Sequence, residues 1–230
     1  MTSAEWIAAL PADRLICEFS VWSADLVRLA DDMARIAPYS DVLHVDVADG
    51  HFAPALLFFP DLVAGLRKVS PAKIHTHLMV ADSILLEQIN QFADAGSDLI
   101  SIHAENANAG AALDLLDKRG VAAGMVLKVD TPIEAVARYL PRLRFVTLLG
   151  TAIGIKGVGL DPKATERLTA MKAMIATARL PERVVLAADG GIREHTVPLL
   201  RQAGAETVVL GSLAFGAASL KDRMAWLHGL

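Results

Sequence analysis

One cysteine, Cys17, stands in a chain of 230 residues, so no disulfide can form within it and a reducing, cytoplasmic setting is expected. Long apolar runs are missing as well. None reaches the ~18 residues that a membrane span requires, and the segment from Met1 to Trp6 has no basic stretch ahead of an apolar one, so neither a leader nor a membrane partner is expected. A basic excess is also lacking: 22 Lys and Arg against 26 Asp and Glu leave a net charge of −4, which excludes the electrostatic footprint of a nucleic-acid binder. Linkers, low-complexity tracts and shifts of composition are absent, and residues 1–230 read as a single domain. What the chain does have is hydrophobic residues, 53% of the total, enough for a sizeable core and a small-molecule pocket.

The apolar residues come in a repeating order. Short strand-like runs lie at 15–20, 41–47, 73–79, 98–103, 122–127, 144–149, 184–188 and 207–210. Between them lie helical patterns at 24–36, 61–68, 84–95, 110–119, from Pro132, 162–178, 196–203 and after Ser212 to about Leu227, with Gly96 and Gly120 as C-terminal stops. Strict βα alternation demands parallel strands, and eight units predict a (β/α)8 TIM barrel, with an open doubly wound sheet as the competitor. The barrel is favoured because Ser20, His44, Asp46, His77, His103, Asp189 and Ser212 sit at the carboxyl ends of six strands, and only a barrel mouth lets them converge.

His44 and Asp46, two apart on a strand, point the same way. With His77 and Asp189 they offer two imidazoles and two carboxylates, a set suited to a divalent zinc, iron or manganese ion. A histidine at a strand end is otherwise a hydrogen-bonded core residue, and Asp189 before Gly190 and Gly191 is otherwise a turn former; from the residues alone both remain open. Gly190, Gly191, Gly211 and Ser212 follow the last two strands, where barrels often bind phosphate through backbone N–H groups, though strand-to-helix turns need glycine in any case. The loop from Gly150 to Gly157 is flexible by composition and carries Lys156, a cation that could close over a phosphate, although a lone lysine in a loop is otherwise simply solvated. His51, His75, His195 and His228 read as structural or surface residues, and Met79 and Met125 as core or pocket wall.

These motifs resemble the ribulose-phosphate 3-epimerase family over nearly the whole chain. The resemblance runs from Ser20-Val21-Trp22-Ser23-Ala24-Asp25 through His44-Val45-Asp46-Val47-Ala48-Asp49-Gly50-His51-Phe52-Ala53-Pro54, His77-Leu78-Met79-Val80, His103-Ala104-Glu105 and Asp189-Gly190-Gly191 to Gly211-Ser212. It implies one divalent ion held by His44, Asp46, His77 and Asp189, with Asp46 and Asp189 as the acid/base pair. Ser20 would contact a ketose phosphate substrate, His77 would border it, Gly190, Gly191, Gly211 and Ser212 would hold its phosphate, and the protein would be a homo-oligomer. The family pattern has Met at Ala48, Asn at Ala55, Gly at Phe59, Asp at His75 and Asn-Pro at Lys128-Val129, and of its lid motif only Gly154 and Gly157 remain. Metal and acid/base positions are kept while wall and lid positions change, so the chemistry of an epimerase is expected, and the particular ketose is left open. An isomerase or aldolase using a different ketose phosphate, or a silent sugar-phosphate binder, are the alternatives.

Overall fold

Strands that are apolar at nearly every position must be covered on both faces, and the chain meets this by closing its sheet on itself. The structure is a computed structural model and describes residues 3–230. In chain order the strands are β1 (Ile16–Ser20), β2 (Val42–Asp49), the two-residue β3 (Leu56–Leu57), β4 (Lys73–Met79), β5 (Leu99–His103), β6 (Ala122–Leu127), β7 (Phe145–Leu149), β8 (Val185–Asp189) and β9 (Thr207–Leu210). All pair in parallel except β3, which folds back antiparallel on the end of β2, and β1 joins both β2 and β9 to complete an eight-stranded barrel. The helices are α1 (Ser3–Ala8), α2 (Leu29–Ile36), α3 (Pro60–Val69), α4 (Asp82–Asp94), α5 (Ala109–Arg119), α6 (Ala164–Thr177), α7 (Val197–Ala203), α8 (Ser212–Phe215) and α9 (Leu220–His228), with tighter 3-10 turns at Val21–Ser23 and Ile133–Arg142.

Alternate residues along each strand divide two cores. Phe19, Leu43, Val45, Ile74, Leu78, Ile100, Ile102 and Met125 face outward into the helix layer. Ile16, Val42, Leu99, Ala122, Phe145 and Val185 face inward and fill the floor of the barrel, which Trp6, Ile7 and Leu10 close from below. Above that floor the interior turns polar, with Glu18, His44, His75, Ser101, Thr147 and Thr207 fully buried. Gly124 makes room in this layer: a Cβ there would overlap the Ser101 hydroxyl oxygen and lie 3.4 Å from Phe145 Cβ. Gly124→Ala is therefore expected to destabilise the fold by roughly 1–3 kcal/mol through overpacking, read as a lower urea midpoint with an unchanged slope.

Several boundaries depart from the sequence reading. The helix expected from Ala24, α2, begins instead at Leu29, because Asp32 accepts from the Asp25 N–H and Asp25 from the Val27 N–H, holding 24–28 off the helical path. The segment after Pro132 is a 3-10 run with Pro141 inside it, a residue unable to donate an α-helical bond. β2 is not stopped before Asp49; that carboxylate accepts from the N–H groups of His51, Phe52 and Ala81 and fastens the hairpin that follows. The last helix is two, α8 and α9.

Candidate functional site

The barrel fixes which side chains meet. Ser20 pairs with His44, and Asp46 with His77, in strand register, so β1, β2 and β4 deliver their polar residues in two successive rows near the mouth, and Asp189 arrives from β8 across it. His44, Asp46, His77 and Asp189 each place one N or O atom within 4.8 Å of the others. His44 Nε2 lies 3.2 Å from Asp46 Oδ1, while His77 Nδ1 is 3.3 Å from Asp46 Oδ1 and 3.9 Å from Asp189 Oδ2. Four ligands at ~2.0–2.2 Å around a tetrahedral ion stand about 3.3–3.6 Å apart, so the spacing fits a cation. His44 Nε2 supplies the stronger sign: it is buried, faces Asp46 without the alignment of a hydrogen bond, and has no hydrogen-bond partner.

The remaining edges of both rings are held. His44 Nδ1 lies 3.1 Å from Glu18 Oε2, and His77 Nε2 lies 2.9 Å from His103 Nε2, whose Nδ1 is 2.9 Å from Glu105 Oε2. Glu105 in turn accepts from the Lys128 N–H at 3.0 Å and from Thr131 Oγ1. Ser20 Oγ donates to Asp46 Oδ2 at 3.1 Å. Burial and charge pull the two carboxyls apart. Burial would raise Asp46, but His44 and His77 outweigh it and hold this acid well below the usual range. Asp189 is pushed up to about 6 by burial, with the His44 charge pulling down and the Asp46 charge pushing up. Burial drives His103 down to about 4 in spite of Glu105.

Above the four residues opens a cavity of about 560 Å³. Ser20, Asp46, His77 and Asp189 form its base, Gly190, Gly191, Gly211 and Ser212 one wall, and residues 151–158 its cover; His44 stays beneath, behind Asp46. Gly191 has φ +69, and a Cβ on it would come 2.9 Å from Leu160 Cα, so this turn needs glycine for its own geometry. The cover is anchored at Gly154, φ +69, where a Cβ would meet Pro54 Cδ at 3.1 Å, and Ile153 packs against the cluster of Ala48, Ala53 and Met79. Lys156 Nζ donates to the Trp22 carbonyl at 2.6 Å and rides 4.2 Å over the Trp22 ring centroid.

Every residue expected at the site lies there or directly behind it. His103 does not line the cavity but braces His77. Glu18 and His75 were not singled out by sequence as site residues. A charged residue at the centre of an apolar strand, Ile16-Cys17-Glu18-Phe19, was the available signal, since an unpaired carboxylate cannot be buried there. Among the described residues no helix is long and apolar enough to cross a membrane.

Similarity to known proteins agrees with this geometry. Residues 16–215 match the model of the ribulose-phosphate 3 epimerase family. Ribulose-phosphate 3-epimerase of Chlamydia pneumoniae is 32% identical over 214 residues, covering 91% of this chain and 93% of that protein. The Bacillus subtilis (strain 168) enzyme of the same name is 30% identical, over 91% of this chain and 96% of its own length. Among solved structures, 3-keto-L-gulonate-6-phosphate decarboxylase from Vibrio cholerae superposes with a TM-score of 0.68 at 15% identity, covering 93% of this chain and 99% of that one, a likeness of fold alone. The barrel, the order of its mouth residues and these matches together make the chain a member of the ribulose-phosphate 3-epimerase family.

Proposed function

We propose that the protein is an epimerase of a phosphorylated ketose of the ribulose 5-phosphate/xylulose 5-phosphate type, inverting the carbon beside the ketone through an enediolate. The observation that carries this reading is the meeting of Asp46 and Asp189, from β2 and β8, at the base of one cavity with His44 and His77 beside them. Inversion needs a proton removed from one face and another delivered to the opposite face, and two carboxylates from different strands supply the pair. Asp46 takes the proton on its face and Asp189 returns one on the other, the roles exchanging with direction. Ser20, donating to Asp46 Oδ2, keeps that carboxylate aimed while leaving Oδ1 for its other partners. His44 Nε2, Asp46, His77 Nδ1 and Asp189 would hold one divalent ion, and zinc, iron and manganese all suit two imidazoles and two carboxylates. Such an ion, when bound, supplies Lewis-acid stabilisation of the negative charge that develops on the substrate oxygens.

Gly190, Gly191, Gly211 and Ser212 receive the phosphate, in the loops after the last two strands where barrels commonly bind one. Lys156, on the cover of the same cavity, adds a positive charge that the family pattern does not have at this position. Lys156→Ala is expected to raise KM for the phosphorylated ketose roughly tenfold with kcat little changed, since one charged hydrogen bond is worth about 1.5–3 kcal/mol. Steady-state kinetics with an unchanged KM would remove Lys156 from the substrate contacts.

The test of the reaction is product analysis by NMR in deuterated buffer with pentulose, tetrulose and hexulose phosphates. An epimer of unchanged carbon count, deuterated at the inverted centre, supports the proposal. A shortened carbon skeleton or a moved carbonyl points instead to an aldolase or isomerase, and no conversion of any of them to a silent binder.

A further inference from the structure

Glu18 lies at the centre of the barrel, fully buried, and no step proposed above uses it. Its Oε2 faces two imidazole nitrogens, His44 Nδ1 at 3.1 Å and His75 Nδ1 at 2.7 Å, and its Oε1 faces Thr207 Oγ1 at 3.2 Å. The far nitrogen of His75 is 2.6 Å from Ser101 Oγ, a hydroxyl that can donate. An ionised carboxylate has no proton to give, so both Nδ1 atoms must carry theirs. His44 in its neutral form is then left with a bare Nε2, the atom that looks toward Asp46 without a hydrogen bond. His75 is the strand-register neighbour of His44, and it stands where the family pattern has aspartate. With an imidazole there, β4 offers His44 no carboxylate, and the acceptor comes from β1 instead.

We propose that Glu18 is a positioning residue of the cation site, accepting the Nδ1 proton of His44 and so presenting the unprotonated Nε2 of that ring to a divalent ion. This inference rests on the reading that His44, Asp46, His77 and Asp189 hold such an ion. A partner behind a ligating histidine fixes its tautomer and raises its basicity, and losing one typically costs about 10–100-fold in metal affinity.

The test measures Co(II) affinity by competition with a chromophoric chelator, together with melting of the metal-free protein, for wild type, Glu18→Gln and His75→Gln. Glutamine is close to isosteric and still offers one oxygen, so the fold is kept while the charge is lost. The expected result is Co(II) binding at least tenfold weaker in Glu18→Gln, with an altered visible Co(II) spectrum and a metal-free melting temperature near that of wild type. His75→Gln, which leaves the Glu18 to His44 contact in place, is expected to stay within threefold of wild type. Wild-type affinity and spectrum in folded Glu18→Gln would overturn the positioning role alone, whereas a wild-type protein that binds no Co(II) would overturn the cation reading beneath it. If Glu18→Gln does not fold, Glu18→Asp, whose carboxylate is one methylene short, is measured in its place: weakened binding supports the role and unchanged binding overturns it.

Discussion

Asp46→Asn and Asp189→Asn are each expected to lower kcat by about a hundred- to ten-thousand-fold, the range for removing a positioned acid or base. The two losses differ in kind. Each carboxylate serves one face of the flat intermediate, so each variant, assayed with the ketose whose proton lies on the face of its intact partner, retains some removal of that proton. Full turnover is lost in both directions, because the second face has no group to complete the transfer. Solvent deuterium wash-in, followed by NMR separately from the two epimers, resolves these half-reactions. Wash-in at the wild-type rate from both epimers in both variants would refute the assignment. Asparagine can still offer an oxygen ligand, so the metal content of each variant is measured alongside, and a metal-loaded but inactive protein separates proton transfer from cation binding.

Removing the metal is expected to have the other large effect. Dialysis against a strong chelator should abolish epimerisation and lower the melting temperature, with both restored by zinc, iron or manganese. A site held at a hundred times its Kd adds about 2.7 kcal/mol, which for a chain of this size corresponds to a fall of roughly 5–10 °C on stripping. The sign follows from the structure: without a cation, Asp46 and Asp189 stand together beneath the cavity with only the imidazoles to offset them, and Asp189 is pushed upward by burial and by the Asp46 charge. Activity and melting that are indifferent to the chelator, with no metal detected by elemental analysis before treatment, would contradict the account.

Much of this was legible in the residues because βα repetition writes its own period. All eight barrel strands fall within about two residues of their apolar runs, since a strand buried on both faces has to be apolar throughout. The four mouth residues were readable only as a set: singly, a strand-end histidine is otherwise a hydrogen-bonded core residue and Asp189 before two glycines a turn former, and it is their joint place at strand ends, brought within 4.8 Å by the barrel, that marks them. Short-range bonding was not. The Asp25 and Asp32 side chains that delay α2, and the Asp49 carboxylate that extends β2 into a hairpin, act through backbone N–H groups that no hydrophobic period records. α1 escaped because six residues are too few to display a helical period, and its Trp6 and Ile7 gain their place only from the barrel floor they plug. Glu18 and His75 were hidden for a related reason: their meaning lies in a contact between strands 57 residues apart, and each alone reads as a structural residue. A barrel interior that is apolar at its floor and polar from Glu18 upward is a tertiary fact, set by register.

The central claim is that one divalent ion sits among four side chains drawn from β2, β4 and β8, between two acids that face each other. Anomalous diffraction from crystals grown with manganese or zinc, recorded at the metal edge, addresses it most directly. The account predicts one strong peak at the barrel mouth, within bonding distance of His44 Nε2, Asp46, His77 Nδ1 and Asp189. A saturated crystal with its peak elsewhere, or with Asp46 and Asp189 turned away from a common centre, would contradict it.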